Sequence, residues 1–465
     1  MKRVVIIGGG VSGLATAYTL EKLHPDLSIT IFQPGGKLGG KIQTVKRAGC
    51  TIEEGADSIL LKSGSDLERI IEELGLSGDL ISPKQRSFSI QRDGILHEVP
   101  LGLLRGFPEN VRSLWKCSLF SLMGKLQATL CPALDYLFPS SAQGDPSIAE
   151  SLRRRFGREV SRYFFETVFG GIHSGDAESL SFKSLYPDMA KRRAGGKYGK
   201  ARFVSFREGM NTLPKALSSA LRRTVVADSV VSSVRQDESG IFQVEADGEF
   251  FAFDYCVVAT PAFAAKEILF ELDQGLSAAL AAIDRSSSAV VTFVISKSDV
   301  LKETRGSGYL LAPTEGGYVT GCTFSSQKWD GRAPEDLLVV RVFFGRNGGV
   351  REVADEELLS TAKKEVRVKL GVEKFQECLV TRWEQGLPQY VCGHEEKLQR
   401  IDSRVTNFPG LFLTGTSYRG VGIPDCVHQA VVAAKQLGDL HQQQSLERFE
   451  SEFHEGEAYG KSVCA

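Results

Sequence analysis

The pattern of apolar and polar positions at the start of the chain predicts a strand, a helix and a second strand. Val4–Ile7 is wholly apolar, as expected of a strand that is buried on both faces of a parallel sheet. Leu14–Leu23 predicts a helix, and Ser28–Phe32 predicts the second strand. Elements in this order are typical of α/β folds with a doubly wound sheet.

Later segments predict a return to this sheet and a second sheet. Ser65–Leu74 has the pattern of a capped amphipathic helix. Tyr255–Ala262 predicts a buried strand that ends in a turn, which suits a chain returning to the first domain. Two further runs, Val225–Val234 and Gly240–Glu245, also predict strands. Three later runs predict an antiparallel sheet in a second domain: Val290–Ser296, Tyr309–Ala312 and Leu337–Phe344.

The stretch from about residue 90 to 200 differs from its surroundings. Its first half is rich in Leu, Phe and Trp, has few acidic residues and is broken by Pro108, Pro132 and Pro139. We interpret it as a helical insertion with apolar faces, which either pack in a core or lie on a bilayer surface and admit an apolar substrate. Basic clusters at 153–162 and 191–202 indicate a solvated face, or a site for lipid head groups or substrate carboxylates.

These segments predict a cofactor domain assembled from separate parts of the chain. The expected fold is α/β, with a Rossmann-like cofactor domain, a mixed-sheet substrate domain and the helical insertion. The predicted divisions are 1–85, 205–265 and 386–440 for the cofactor domain, 86–204 for the insertion, 266–385 for the substrate domain and 441–465 for a polar tail.

Composition narrows the kinds of protein to consider. The formal net charge of −1 over 465 residues gives no reason to propose a nucleic-acid partner. The nine cysteines show no CxxC or Cys/His ligand spacing, so no metal site is predicted and reduced thiols are expected. The apolar run at the N-terminus is too short for a signal peptide, and no long apolar stretch predicts a membrane span. We therefore expect a cytoplasmic protein, with peripheral contact on the inner face of the membrane as an alternative.

A glycine cluster follows the first strand directly. Gly8, Gly10 and Gly13 have GxGxxG spacing between the predicted strand and helix. Gly8 permits a tight turn, Gly10 lets the backbone approach a pyrophosphate, and Gly13 lets the helix pack close to the strand. Ser12 lies at the helix N-terminus, where free N–H groups and the helix dipole favour phosphate. The strand, glycines and helix together predict a nucleotide site.

Gln33 occupies the position after the second strand where an acidic residue usually binds the ribose. A glutamine can still exchange hydrogen bonds with ribose hydroxyls, but it lacks the charge-assisted component. The contact is therefore expected to be weakened rather than lost. The alternative is that Gln33 is merely solvated.

A second glycine element narrows the cofactor. Lys37 is followed by Gly39 and Gly40, which offer another close backbone approach to phosphate beside a positive charge. This segment resembles the RxGG element of the FAD-binding family that includes amine oxidases, phytoene desaturases and protoporphyrinogen oxidases. The chain departs from that family's usual Arg at Lys37 and from its usual Glu at Gln33.

Three further segments sharpen the resemblance. Gly410–Ala434 predicts a last buried strand, a glycine-rich loop and a helix that begins near Pro424. Its YRGVGIPDC portion resembles the C-terminal flavin signature of bacterial FAD-dependent porphyrinogen oxidases. Gly170–Pro187 and Phe206–Leu217 resemble two other segments of that family, so the similarity covers essentially the whole chain.

The resemblance implies an enzyme of heme biosynthesis with FAD as its cofactor. The implied reaction converts protoporphyrinogen IX to protoporphyrin IX in three two-electron hydride transfers, with dioxygen reduced to hydrogen peroxide. Coproporphyrinogen III is the alternative substrate, and an electron acceptor other than dioxygen is a further alternative. Implied partners are the porphyrinogen, a downstream enzyme that takes the product, and a second subunit. A flavin amine oxidase, a desaturase and a non-catalytic FAD-binding scaffold are the competing interpretations.

The resemblance also implies residue roles. Lys62, His173 and Arg419 are the candidates for substrate contact, and flavin chemistry itself needs no protein nucleophile. Val230 is the candidate for main-chain contact with the adenine. The expected FAD contacts are Gly8, Gly10, Ser12, Gly13, Gln33, Lys37, Gly39, Gly40, Val230, Gly415, Val421, Gly422 and Ile423.

Overall fold

A computed structural model describes residues 1–100, 111–137, 144–190, 201–346 and 349–462. Strands and helices follow each other along the whole of this part of the chain. The strands are β1 (Arg3–Ile7), β2 (Ser28–Phe32), β3 (Thr44–Arg47), β4 (Cys50–Glu53), β5 (Ile59–Lys62), β6 (Leu80–Ile81), β7 (Phe88–Arg92), β8 (Ile95–Val99), β9 (Ala201–Phe206), β10 (Val225–Ala227), β11 (Val231–Gln236), β12 (Phe242–Ala246), β13 (Glu249–Phe253), β14 (Tyr255–Val258), β15 (Asp284–Ser296), β16 (Gly308–Leu311), β17 (Val319–Phe324), β18 (Leu337–Phe344), β19 (Glu377–Gln389) and β20 (Leu411–Leu413). The helices are α1 (Val11–Leu23), α2 (Asp66–Glu73), α3 (Val111–Lys116), α4 (Leu122–Leu137), α5 (Ile148–Val160), α6 (Glu166–His173), α7 (Phe182–Leu185), α8 (Pro187–Ala190), α9 (Thr212–Ala220), α10 (Ala262–Ile268), α11 (Gln274–Ala281), α12 (Ser325–Lys328), α13 (Asp355–Leu370), α14 (His394–Val405) and α15 (Ile423–Ser462).

A five-stranded parallel sheet carries the first glycine cluster. Its strand order is β10-β2-β1-β14-β20, and every neighbouring pair is parallel. One face of β1 packs with α1 and α15, and the other face packs with α10, α11 and α14. This two-sided burial explains why β1 and β14 are apolar at nearly every position.

One run that was predicted as a single strand forms two strands in different sheets. The run Val225–Val234 divides at Asp228 and Ser229 into β10, in the parallel sheet, and β11, in a three-stranded antiparallel sheet with β12 and β13. The irregular connection between β10 and β11 breaks the apolar run with two polar residues. The chain therefore leaves the parallel sheet here and rejoins it through β14.

A seven-stranded mixed sheet forms the second large layer. Its order is β19-β15-β18-β17-β16-β7-β8. Within this sheet, as far as the structure describes it, the β16–β7 pair is parallel and every other neighbouring pair is antiparallel. Helix α13 covers one face. The segment 86–204, predicted as a helical insertion, begins with the hairpin β7–β8, which extends this sheet. The Asp93-Gly94 turn between them, where both residues have positive φ, is a typical hairpin signal.

Helices α3 to α8 form a separate apolar core within the predicted insertion. This core includes Phe156 of α5 and Phe164 and Phe165 of the π-helical turn Ser161–Phe165 that joins α5 to α6. The same core includes Ile90 and Val99 of the hairpin. No described helix is long and apolar enough to cross a membrane. The basic segment 191–200 and the proline positions 108 and 139 lie outside the described residues.

Candidate FAD site

The first glycine turn joins β1 to α1. Gly8 has φ +109°, in the region that favours glycine, and Gly10 is the N-cap of α1. A Cβ on Gly13 would lie well inside van der Waals distance of the Gly8 carbonyl oxygen. The helix and the turn can therefore approach this closely only because residue 13 has no side chain, as the sequence predicts.

The second glycine element packs against the first. The Gly39 N–H donates to the Gly9 carbonyl at 2.8 Å, and a Cβ on Gly40 would lie 3.1 Å from the Gly10 Cα. A Cβ on Gly10 would meet only the Gly40 Cα, at 4.0 Å. Two side-chain-free backbone segments thus lie side by side at the carboxyl end of β1, with open space beside Gly10. Such a cradle suits a pyrophosphate.

Gln33 lies at this cradle and is not simply solvated. Its Oε1 accepts from the Gly9 N–H at 2.7 Å, and its Nε2 donates to the Pro34 carbonyl at 3.0 Å. Its own N–H donates to the Ala227 carbonyl at 3.0 Å, so β10 helps to hold it. The side chain is therefore within reach of a nucleotide bound on the glycines. Lys37 lies exposed on the loop that follows.

The C-terminal motif supplies the third backbone segment of the site, beside the two glycine segments. The Thr414 N–H donates to the Val258 carbonyl at 3.1 Å, which anchors the loop beside β14. Gly415 has φ +128°, and a Cβ there would lie 3.8 Å from Ser12 Oγ. Helix α15 begins at Ile423, as predicted near Pro424, and the Gly422 N–H donates to Asp425 Oδ2 at 3.1 Å. The structure thus brings the first and last motifs together.

These three segments fit FAD. Cradling backbone from three separate segments, the N-terminus of α1 and a polar residue after β2 are the parts that a dinucleotide cofactor needs. The residues that would hold the diphosphate and ribose are those at the glycine cradle. The loop from Gly415 to Ile423 would hold the remainder, so FAD contact by this loop is a prediction that the geometry permits.

Two residues that the sequence did not single out border the same region. The Lys41 ammonium donates to the Gly386 carbonyl, and burial lowers the pKa of Lys41. The Trp383 indole N–H donates to the Glu54 carbonyl at 2.9 Å. We propose Lys41 and Trp383 as further members of the cofactor site. The sequence offered a local signal only for Lys41, which directly follows Gly39 and Gly40. Trp383 could not be found in this way, because its contact with Glu54 joins residues 329 positions apart.

Val230 has both backbone polar groups engaged within the protein. Its N–H donates to Asp247 Oδ1 at 3.1 Å, and its carbonyl accepts from the Asp247 N–H at 3.1 Å. An adenine contact would have to use the second lone pair of this carbonyl or the exposed side chain. The contact stays a prediction.

The three substrate candidates lie in different settings. Lys62 ends β5, exposed, opposite Ala201 of β9. His173 is buried, and its Nε2 is 2.7 Å from the Tyr186 hydroxyl. Burial lowers the pKa of His173 to about 4, so its imidazole is neutral at pH 7. Arg419 is half-exposed and forms an ion pair with Asp402. A substrate role stays a prediction for each of them.

The fold and the cradle define a class: an FAD-binding oxidoreductase with a doubly wound cofactor domain. No cluster of three His, Cys, Asp or Glu side chains that could hold a metal occurs within the described ranges. The family model for flavin containing amine oxidoreductases matches residues 11–438. The chain belongs to this family and is an FAD-dependent enzyme.

Relatives and solved structures are similar over nearly the full length. Coproporphyrinogen III oxidase of Bacillus subtilis (strain 168) is 30% identical over 462 residues, which cover 93% of this chain and 97% of the relative. Protoporphyrinogen oxidase 2, chloroplastic/mitochondrial, of Arabidopsis thaliana is 27% identical over 93% of each chain. A crystal structure of a candidate protoporphyrinogen oxidase from Exiguobacterium sp. 255-15 superposes with a TM-score of 0.81, at 27% identity, over 94% of this chain and 98% of that chain.

Proposed function

We propose that this chain oxidises a porphyrinogen to the corresponding porphyrin in heme biosynthesis, with coproporphyrinogen III as substrate and dioxygen as acceptor. The observation that carries the proposal is full-length similarity to relatives named for this reaction, joined to a glycine cradle in this chain that fits FAD. Protoporphyrinogen IX was the first expectation from sequence. The relative of higher identity is named for coproporphyrinogen, and this favours the four-carboxylate substrate.

The reaction removes six electrons and six protons from the substrate in three equal steps, and each step reduces one dioxygen to hydrogen peroxide. FAD, when bound, would supply the hydride acceptor that these steps need and the redox centre from which electrons reach dioxygen. The chain binds and orients the reactants. The glycine cradle fixes one end of the cofactor, and exposed cations such as Lys62 are proposed to meet substrate carboxylates.

The choice between the two substrates is tested by initial rates. Purified holoprotein is offered freshly reduced coproporphyrinogen III and protoporphyrinogen IX separately under air, and porphyrin fluorescence is followed. We expect the coproporphyrinogen rate to be higher by about tenfold or more, the effect of roughly 1.4 kcal/mol of added ionic contact. Equal rates, or a preference for protoporphyrinogen, would contradict the choice of coproporphyrinogen.

We also propose that α4 lies on an anionic membrane surface. Leu122, Met123, Leu126 and Leu130 are all exposed, the first by 66%, and helical spacing places them within one 100° arc. Between residues 112 and 131 the chain has three basic and no acidic side chains. An apolar stripe flanked by positive charge is the pattern of a helix that lies in a lipid interface.

The membrane proposal is tested with Leu122→Glu combined with Leu130→Glu. Co-sedimentation with vesicles that contain phosphatidylglycerol should fall about tenfold or more, because two apolar contacts are replaced by charges that the surface repels. Leu301→Glu is the matched control, since Leu301 is 78% exposed on a loop outside the helical region and should bind as wild type does. Wild-type protein that does not sediment with vesicles would overturn the proposal.

A further inference from the structure

The loop Thr414–Gly422, called the flavin loop here, is held by two aromatic rings from a distant segment. Tyr390 follows β19, and His394 begins α14. Both rings are buried, with 1% of each residue exposed. Neither residue belongs to the glycine cradle, and no sequence motif singled them out.

Tyr390 uses its hydroxyl twice on the flavin loop. The hydroxyl donates to the Thr416 carbonyl at 2.7 Å and accepts from the Gly420 N–H at 2.9 Å. Gly420 has φ +113°, so its N–H is presented by a backbone conformation that other residues rarely adopt. One phenol therefore fixes the distance between two backbone groups on opposite sides of the loop.

His394 holds a third backbone group and supports the tyrosine. Its Nε2 lies 2.9 Å from the Tyr418 carbonyl, which makes Nε2 the protonated nitrogen. Its ring stacks on that of Tyr390 with 3.8 Å between centroids and 13° between planes. The stacked pair thus hydrogen-bonds the backbone of every second residue along this part of the loop: Thr416, Tyr418 and Gly420.

The pair is itself anchored to the helical region. The Tyr390 carbonyl accepts from the Ser181 N–H at 2.7 Å, and the Cys392 N–H donates to the Ser179 carbonyl at 2.8 Å. The neighbouring Gln389 Nε2 donates to the His173 carbonyl at 2.9 Å. A segment fixed on both sides can hold a loop to a tolerance that the loop alone could not keep.

We infer that Tyr390 and His394 are positioning residues that hold the flavin loop in its FAD-binding shape before the cofactor arrives. Without the pair, the loop would lose conformational entropy when FAD binds, and this loss would weaken FAD binding. The inference rests on FAD binding and not on the proposed porphyrinogen, so a failure of either leaves the other standing.

The main test compares Tyr390→Phe with Tyr309→Phe. FAD is titrated into apoprotein and its fluorescence quenching gives Kd. Tyr390→Phe should weaken FAD binding by about tenfold or more, because it keeps the stacked ring but leaves two loop groups unpaired. Tyr309 is also buried and its hydroxyl donates to Glu365 at 2.8 Å, so Tyr309→Phe loses a comparable hydrogen bond far from the loop and should keep the wild-type Kd.

Two further readouts separate positioning from general stability. His394→Gln keeps a side-chain donor and should bind FAD more tightly than His394→Leu. In wild-type apoprotein, the Gly420 amide should exchange slowly with solvent deuterium because the Tyr390 hydroxyl protects it. An unchanged Kd in Tyr390→Phe, an equal loss in Tyr309→Phe, or rapid exchange at Gly420 would overturn the inference; the exchange result stands even if a variant does not fold.

Discussion

Replacing Gly13 by alanine should strongly weaken FAD binding. The added Cβ would overlap the Gly8 carbonyl oxygen, which is backbone and cannot move aside as a flexible side chain could. The first turn of α1 must then shift away from β1, and the cradle that this turn forms with Gly39 and Gly40 opens. Overpacking of this kind costs about 1–3 kcal/mol, so FAD affinity should fall by up to about hundredfold.

The measurement is FAD bound per chain after purification, followed by titration of the apoprotein. Gly78→Ala is the matched control because a Cβ there meets nothing within 4 Å and its φ is not positive. That variant should keep the wild-type FAD content. A Gly13→Ala protein that keeps its flavin would show that the helix does not need to approach the turn this closely.

Replacing Arg332 by methionine should cause the largest loss of stability. Arg332 Nη1 lies 2.8 Å from Glu53 Oε1, and the two side chains are only 1% and 4% exposed. Glu53 also accepts from the Met210 N–H at 2.9 Å and the Thr44 hydroxyl at 2.7 Å, so it remains buried when its partner is removed. Breaking a buried pair from one side costs about 3–5 kcal/mol.

Urea unfolding of holoprotein, with slopes compared between variants, measures this cost. Arg305→Met is the control because the Arg305–Glu303 pair has the same 2.8 Å separation but is 80% and 71% exposed, and it should cost about 1 kcal/mol or less. Adding Glu53→Gln to Arg332→Met should recover part of the loss, since no buried charge is then left alone. An equal loss of unfolding free energy in Arg332→Met and Arg305→Met would show that burial of the Arg332–Glu53 pair does not make its removal more destabilising.

The sequence predicted the parts of the fold that depend on local pattern. β1, α1 and β2 follow from a buried apolar strand, the GxGxxG spacing and a second apolar strand, which all lie within 32 residues. Leu337–Phe344 was predicted with the bounds of β18 because its apolar run is continuous. The β7–β8 hairpin was not predicted, although its Asp93-Gly94 turn is a local hairpin signal. The Leu-rich stretch that follows it favours a helical interpretation of the whole segment. The break at Asp228-Ser229 was missed because apolar residues flank it on both sides.

The site was predictable only where backbone chemistry dominates. Glycines that must lack a side chain are visible in the sequence, and the structure places Gly10 next to Gly40. Their contact with FAD stays a prediction. Contacts between distant segments have no such signal. The Glu53–Arg332 pair joins residues 279 positions apart by number, and the Tyr390 hydroxyl reaches Thr416 from another element. Burial and partners of this kind depend on how the sheets pack, which no local pattern encodes.

We propose above that FAD held by this chain oxidises a porphyrinogen. The most direct test follows porphyrin fluorescence and dioxygen uptake together, with coproporphyrinogen III under air and yellow holoprotein, beside the same protein stripped of FAD. We expect porphyrin formation well above autoxidation, three dioxygen molecules consumed per porphyrin, and loss of the reaction in the stripped protein with recovery when FAD is restored. Holoprotein whose flavin is reducible by dithionite but which oxidises neither coproporphyrinogen nor protoporphyrinogen would rule out porphyrinogen oxidation and favour an amine oxidase or a non-catalytic scaffold.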